Sequence, residues 1–418
     1  MGRSAGCAPT HPRLRLVGVN FLMRFFTLAA GIACLPPALL GQTPVTREQA
    51  VESAMSQGPR AALARADTMV GAAQLLAARQ LENPSLGLTY SKSVPRYHEI
   101  LDLPIDIFGV RSARIGSAGA ARLASRYRFA FEQAAAALDA DTTYTRALAS
   151  REHLRLSQRN ARDADSLRRM AVLRRDAGDA SELDVLLANV NAGQAENQAA
   201  VDSLGYVSAL FDLQTIMGFD SARVTVAPVD SLTLPPAISD SLVVTDLPIA
   251  AAEQGLRAAD LALRAERRGI FTPLSVQAGV EHGDPSEPGV LPTFGVSIPL
   301  PLLNRNRGAI AQATAERDRA VAELALVRLE TRAAIGRATR ARALALERIR
   351  RDRLLLENAD RIAAMSLTAY REGAEGLPAV LEAQRNAREI VSHYIDDVAE
   401  AWIATATLRL YNLGPGMR

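Results

Sequence analysis

The sequence predicts a mainly α-helical protein with a small transmembrane β part and an internal two-fold repeat. Three observations support this fold class. Two halves of the chain share the order and spacing of key proline and glycine residues. Each half contains two short segments in which apolar and polar residues alternate, as strands with one apolar face do. Each half also has a proline-free stretch of about 65 residues, rich in alanine and arginine, that is typical of a long helix.

The repeat is visible in residues that restrict backbone geometry. Pro104 corresponds to Pro299, and much later Gly178 corresponds to Gly373, both with a shift of 195 residues. Chance similarity would not hold register between such distant positions, so the chain is a duplication of one unit. The two copies are joined by a linker at residues 226–246 that contains three prolines.

Each copy is predicted to contain a first helix, a β-hairpin, a long helix, a tip turn and a return helix. Repeat 1 covers residues 42–225, with a first helix at 46–82, a hairpin at 85–107, a long helix at 109–174 and a return helix at 181–216. Repeat 2 covers residues 247–418, with the corresponding elements at 248–268, 274–302, 306–370 and 377–411. Each long helix would span about 100 Å.

The strand prediction depends on alternation with a period of two. Leu101, Leu103 and Ile105 alternate with Asp102 and Pro104, which gives one apolar and one polar face. The same pattern occurs at residues 86–90, 274–280 and 294–300.

Residues 1–41 are predicted to be a secretory signal peptide. The apolar stretch after Arg24 has the length of a signal core and is too short to span a bilayer, and cleavage is expected before Gln42. Translation from Met23 and lipidation of Cys34 are open alternatives, and a buried N-terminal helix is the competing interpretation. No other window is apolar enough for a membrane-spanning helix, so any membrane insertion must use strands.

Composition argues against several functions. The formal net charge is +3, but residues 1–41 contain four arginines and no acids, so the remainder carries −1. No basic run is interleaved with aromatic residues, which argues against nucleic-acid binding. Both cysteines, Cys7 and Cys34, lie in the leader, so the remainder has no thiol chemistry.

The four strands per chain require partners from other chains. Four strands cannot close a barrel, and an open sheet edge cannot lie in lipid. Three chains would supply twelve strands, enough to enclose a lumen wide enough for solute. The long helices cannot bury their apolar stripes alone either. We therefore expect a homotrimer in which a 12-stranded β-barrel, surrounded by membrane lipid, continues into a trimeric α-barrel tunnel.

Two other interpretations compete with this one. A soluble coiled-coil scaffold leaves the apolar strand faces unexplained. An α+β enzyme with a long-helix insertion requires a site, and no catalytic, cofactor-binding or metal-binding residues are predicted. His98 and His282 fall in or beside predicted outer loops, where a plain surface role is favoured over metal contact.

Four segments carry a family resemblance. They are residues 45–51 followed by Pro59, residues 298–308, and the two tip turns at 175–186 and 370–383. With the duplication, they make the chain resemble the TolC-type outer-membrane efflux proteins over nearly its whole length after the leader. Residues 298–308 are similar to the heavy-metal (cobalt–zinc–cadmium, CzcC-like) branch.

The resemblance implies a TolC-like fold and a passive exit duct in the outer membrane of a Gram-negative bacterium, with its helical tunnel in the periplasm. The implied partners are a periplasmic adaptor (membrane fusion protein) and, indirectly, an inner-membrane pump of the resistance-nodulation-division (RND) class. Neither a cofactor nor catalysis is implied. Heavy-metal cations are the expected cargo, and drugs, other organic solutes or type I secretion substrates are alternatives.

The resemblance also assigns residues to the tip. Of two acids that follow the second tip turn in the family, the first is replaced by Ala379 and the second is matched by Glu382. Asp184 holds the corresponding tip position in repeat 1. A ring of Glu382 carboxylates at the pore aperture would favour cations, whereas the alternative for both acids is a solvated helix face.

The turns themselves are the expected adaptor joint. We expect Gly178 and Gly373 to end their helices in left-handed conformation, where glycine carries no Cβ penalty. Arg175 and Arg371, which precede these glycines, are assigned to the same joint.

Overall fold

The computed structural model describes residues 43–220, 222–237 and 247–411. All of these residues belong to one unit, residues 42–418. The predicted signal peptide, with Met23, Cys7 and Cys34, lies outside the described residues. Among the helices that are described, none is both long and apolar enough to cross a bilayer.

Seven α-helices and six strands make up the described residues. The helices are α1 (Arg47–Ser56), α2 (Pro59–Arg79), α3 (Val110–Asp176), α4 (Glu182–Met217), α5 (Leu247–Arg268), α6 (Arg307–Arg371) and α7 (Leu377–Leu410). The strands are β1 (Thr43–Val45), β2 (Ser85–Tyr90), β3 (Tyr97–Ile105), β4 (Val226–Pro228), β5 (Leu274–His282) and β6 (Val290–Ser297). The two long helices, α3 and α6, contain 67 and 65 residues.

The prediction of one continuous first helix in repeat 1 was wrong. The structure has two helices, α1 and α2, separated at Gln57 and Gly58. Pro59 is the first residue of α2, because proline lacks an N–H and its ring would clash with the carbonyl one turn back in a continuous helix. α1 begins with the expected capping box, in which Thr46 and Gln49 each accept a hydrogen bond from the other's backbone N–H.

The linker also contains an element that the sequence pattern did not predict. Residues Val226–Pro228 form β4, which pairs in parallel with β1. Further along the linker, Thr233 accepts a hydrogen bond from the Trp402 indole through its carbonyl. Because β1 and β4 are 3 residues each, alternation could not reveal them.

Helices and strands follow the same lateral order. α2 and α4 pack on one side of α3, α5 and α7 pack on its other side, and α6 packs beyond α5 and α7. The sheet has the order β2-β3-β5-β6, with antiparallel neighbours. Along the chain, β2 and β5 follow α2 and α5, and β3 and β6 precede α3 and α6. Each strand is therefore connected to a helix that has the same place in the lateral order. β2 with α2 and α4 lie at one edge, and β6 with α6 lie at the other. Beyond them the described residues place no further long helix or sheet strand, although the short helix α1 contacts α2 and α4, and β4 contacts α4.

Small side chains allow the long helices to pack closely. In α3 most buried positions are alanine, and alanine occupies four of the nine buried positions of α4. Larger buried side chains concentrate in two places. One cluster surrounds Tyr144 and Leu148 near β1, and the other surrounds Leu167, Tyr370 and Leu377 at the tip. Each such side chain contributes about 1.5–3 kcal/mol by its removal from water.

Candidate functional site

The four-stranded sheet exposes a continuous apolar face. Phe294 is 80% exposed and Leu88 is 70% exposed, although both lie in the middle of paired strands. Other large exposed side chains on this face are Leu86, Leu101, Leu103, Ile105, Val276 and Val296. An apolar patch of this extent needs an apolar environment.

Aromatic rings lie at the loop end of this face. Tyr97 stacks on His282 with 4.8 Å between ring centroids, and Tyr90 lies 5.3 Å from Tyr97. His282 also lies 3.7 Å from the carboxylate of Glu99. Amphipathic rings next to charged groups are typical of the boundary between membrane and water.

The opposite face of the sheet is polar. Gln277 and Ser275 donate hydrogen bonds to Asp102 at 2.7 and 3.1 Å. Nearer the loops, His98 Nδ1 lies 3.2 Å from Glu281 Oε1. His98 and His282 therefore lie on opposite faces of the sheet. The described residues contain no group of three or more His, Cys, Asp or Glu side chains placed to hold a metal ion.

The tip turns of the two repeats have the same backbone geometry. Gly178 has φ 84° and Gly373 has φ 78°, so both are left-handed, as predicted. After α3, the N–H of Asp179 donates to the carbonyl of Arg174, and after α6 the N–H of Ala374 donates to that of Ala369. Both helices thus end in Schellman motifs, which satisfy carbonyls of the last turn.

The side chain that joins the two turns is Arg174, which the sequence analysis missed. Its Nη1 donates to the carbonyl oxygen of Tyr370 at 2.5 Å, and its guanidinium lies 4.7 Å from the centroid of the Tyr370 ring. Its Nη2 donates to the carbonyl of Asp179 at 3.2 Å. An arginine in the last helical turn next to a C-terminal glycine is a known capping signal and could have identified it.

Tyr370 is the centre of the tip core. It is almost fully buried, and its hydroxyl has no hydrogen-bond partner among the described residues. Burial is the main cause of its raised pKa; the charge of Asp184 raises the pKa further, whereas Arg174 lowers it. The two tip turns are therefore held together by apolar packing and by Arg174.

The two arginines assigned to the tip lie in different environments. Arg175 forms ion pairs within its own turn, with Asp176 at 2.7 Å and Glu182 at 3.2 Å, and these carboxylates raise its pKa. Arg371 is exposed and borders a groove of about 630 Å³ between α3, α6 and α7. Arg388 lines the same groove, and its pKa is lowered by burial despite the nearby charge of Asp163.

The two acids assigned to the aperture also differ. Asp184 Oδ2 accepts hydrogen bonds from the backbone N–H and the hydroxyl of Ser181 at 3.0 and 2.9 Å, which completes a capping box at the start of α4. Glu382 is exposed, has no hydrogen bond or ion pair among the described residues, and borders a groove between α4 and α7. Ala379 is exposed as well.

Three features define the class of protein: an apolar sheet face, long helices that follow the lateral order of the strands, and a closed pair of tip turns. Together they indicate an outer-membrane channel with a periplasmic helical part. Comparisons with known proteins agree. Residues 240–411 match the family described as "Outer membrane efflux protein". The solved structure of the CmeC outer membrane channel of Campylobacter jejuni superposes with a TM-score of 0.73 at 14% identity, over 94% of this chain and 93% of that one.

Two curated proteins are similar in sequence. The pyoverdine export outer membrane protein OpmQ of Pseudomonas aeruginosa PAO1 is 28% identical over 297 residues, which cover 67% of this chain. That match spans 62% of OpmQ, less than two thirds of its length. The cobalt-zinc-cadmium resistance protein CzcC of Cupriavidus metallidurans is 25% identical over 284 residues, 66% of this chain and 68% of CzcC.

The match over residues 240–411 and the similarity to OpmQ and CzcC confirm the predicted resemblance to the TolC-type outer-membrane efflux proteins. The chain is located in the outer membrane, with its helical part in the periplasm.

Proposed function

We propose that this protein is the outer-membrane channel subunit of a tripartite RND efflux system and serves as a passive exit duct with no catalytic step of its own. The observation that supports the proposal most strongly is that the sheet and the helical layer both end at the same two edges of the chain. The sheet ends at β2 and β6, and the helical layer ends at α2 with α4 and at α6, in the same order. One lateral contact between sister chains would therefore satisfy both layers.

Exposed apolar stripes on the two outer helices support assembly of a homotrimer. On α4 the stripe opposite the buried face contains Leu183, Leu186, Val190, Val201 and Leu204. On α6 it contains Leu326, Leu329, Leu344, Leu354, Ile362 and Met365. Both follow helical spacing, so each helix presents one unpartnered apolar face. Three chains joined in this way would supply twelve strands to the membrane.

Contact with a periplasmic adaptor is proposed at the tip. Arg371 and the backbone of Gly373 are exposed there, beside the groove between α3, α6 and α7. Arg175 also lies at the tip, but its ion pairs with Asp176 and Glu182 leave less of its charge for a partner. An adaptor surface with acidic residues fits the arginine side of this groove. The pump would then be reached only through the adaptor.

Heavy-metal cations are the proposed cargo, supported by the likeness to CzcC and by the exposed Glu382 carboxylate near the tip, which is unpaired in the part of the chain that the structure describes. An organic solute is the second candidate, because the name of OpmQ records export of pyoverdine. Growth of a deletion strain on zinc, cobalt, cadmium and copper, compared with growth on organic toxicants, distinguishes them. Sensitivity to organic compounds alone would contradict the metal assignment.

Assembly and conduction test the channel itself. Wild-type protein in detergent is expected to have the mass of a trimer and to conduct ions in discrete steps in planar bilayers. Leu329→Glu with Leu354→Glu, both on the α6 stripe, is expected to yield monomers, because each leucine buried between chains stabilises the trimer by about 1.5–3 kcal/mol. Ser203→Glu, on an exposed polar flank of α4, is the matched control. A monomeric, non-conducting wild type would contradict the proposal.

A further inference from the structure

On the polar face of the four-stranded sheet, the only side chains with a permanent charge are negative. This face carries Asp102, Glu281 and His98 among serine, threonine, glutamine, glycine, proline, isoleucine and leucine residues. Two of these residues are carboxylates, one is histidine, and β2, β3, β5 and β6 contain neither lysine nor arginine. Apart from His98, nothing on this face can offset the two negative charges.

The two carboxylates are held in different ways. Asp102 Oδ1 accepts hydrogen bonds from Gln277 and Ser275 on the neighbouring strand, so the side chain is fixed above the sheet and its other oxygen is left for solute. Glu281 lies against His98, which reduces the field that it projects whenever the imidazole is protonated. Asp102 and His98 are four residues apart on β3, so the two carboxylates lie about 13 Å apart along the strand.

This face would line the lumen if the proposed channel function holds, because the opposite, apolar face needs lipid and a carboxylate on the lipid side is costly. Glu99 and His282, the charged and titratable side chains on the apolar face, lie at its loop end, where the membrane meets water. In a trimer, Asp102 and Glu281 would each occur three times around the pore.

We propose that Asp102 and Glu281 form two carboxylate rings in the wall of the membrane-spanning section that select hydrated cations over anions. The rings act by Coulomb attraction focused between low-dielectric walls, as rings of Asp or Glu do in cation channels. An exported ion would pass any filter at the periplasmic tip first and these two rings afterwards.

The loops at the mouth do not supply this selectivity. The loop between β2 and β3 carries Lys92 and Arg96, whereas the loop between β5 and β6 carries Asp284 and Glu287. These four charges cancel within each chain. A net preference for cations in this section must therefore come from the strand wall.

The test is the reversal potential of the full-length trimer in planar bilayers under a potassium chloride gradient. Wild type is expected to prefer potassium, and Asp102→Asn is expected to lower the ratio of potassium to chloride permeability by at least about twofold. Asparagine is isosteric and can still accept the hydrogen bond from Gln277. Glu281→Gln is expected to have a smaller effect because His98 lies beside it, and the double variant the largest.

Glu99→Gln is the matched control, since it removes an equal charge from the opposite face of the same hairpin, and its selectivity is expected to equal that of wild type. A conducting wild type whose selectivity is unchanged in the Asp102 and Glu281 double variant, or a wild type that prefers chloride, would overturn the inference while leaving the channel intact. A wild type that never conducts would instead contradict the proposed function on which this inference depends.

Discussion

Arg174 from repeat 1 donates a 2.5 Å hydrogen bond to the carbonyl oxygen of Tyr370 in repeat 2 and lies over the ring of the same residue. These residues end the two long helices, so one side chain joins the tips of both copies. The same arginine also contacts the carbonyl of Asp179 in its own turn. It therefore stabilises both the local turn and the contact between repeats.

Arg174→Ala is expected to loosen the tip. The Tyr370 carbonyl loses its donor and the ring loses its cation, at a local cost of about 1–3 kcal/mol. Hydrogen exchange of the amides at residues 369–376 should become faster. Arg169→Ala, on the same helix, removes an exposed ion pair with Asp165 and an exposed hydrogen bond to Ser166, and it is expected to leave exchange unchanged. Equal exchange in both variants would show that Arg174 does not hold the turns together.

Asp184 and Glu382 are predicted to have separable roles. Asp184→Ala removes the capping box of α4 and is expected to lower stability by about 1 kcal/mol, measured by thermal unfolding. Glu382→Ala breaks no hydrogen bond or ion pair among the described residues, so it should leave the melting temperature unchanged and reduce cation preference in bilayers. If Glu382→Ala destabilised the protein without altering selectivity, the aperture assignment of Glu382 would be wrong.

Gly373→Val is expected to uncouple the channel from its adaptor while the trimer still assembles. At φ 78°, a β-branched side chain is strained by about 1–2 kcal/mol, so the turn must change its backbone conformation. Resistance of a complemented deletion strain and the mass of the purified protein are the two measurements. Gly119→Val is the matched control, because it lies in α3, which is not one of the outer helices, and an added Cβ there meets nothing within 4 Å. Wild-type resistance with Gly373→Val would argue against a role of this turn in coupling.

Asp352 is predicted to make stability depend on pH. Burial is the main cause of its raised pKa, and the adjacent Asp397 raises it further, while His393 and Arg351 oppose the shift. Asp397 itself accepts a 2.7 Å hydrogen bond from Arg348. The folded state then binds the proton on Asp352 more tightly than the unfolded chain does. The contribution of Asp352 to stability is therefore fully present below the ordinary pKa of 3.8 and is lost as pH rises through the raised value.

Asp352→Asn should remove this pH dependence. The variant is expected to be more stable than wild type at pH 7 and similar to it near pH 4, as measured by thermal unfolding at both pH values. Asp360→Asn, an exposed carboxylate on the same helix, should behave like wild type. Parallel pH profiles of Asp352→Asn and wild type would contradict the raised pKa of Asp352 in the folded protein.

Much of the fold could be predicted because the long helices and the sheet strands each produce a local periodic pattern of residues. Alternation identified the segments that contain β2, β3, β5 and β6, and the proline-free stretches identified α3 and α6. The left-handed glycines were predictable because their conformation depends on a few neighbouring residues. Pro59 could have indicated the break between α1 and α2, since a proline rarely continues a helix.

The tip contains a contact that the sequence did not predict. Arg174 crosses between the repeats, whereas the ion pairs of the neighbouring Arg175 lie within its own turn, and its assignment to the adaptor joint stays a prediction. Adjacent arginines in a helix point in directions about 100° apart, so their roles depend on which helix face meets the partner.

Residue spacing along the chain was enough to predict the duplication, the long helices and the two faces of the sheet strands. Contacts in the folded structure, in contrast, pair β1 with β4, place α3 between α4 and α7, and make Asp184 a helix cap, whereas Glu382 has no hydrogen bond or ion pair among the described residues. Most of these contacts join segments that are far apart in the sequence. Local residue spacing does not specify which of several equally apolar helix faces will pack together. The sequence likewise shows which residues are acidic, whereas the tertiary packing determines which atoms form hydrogen bonds with each carboxylate.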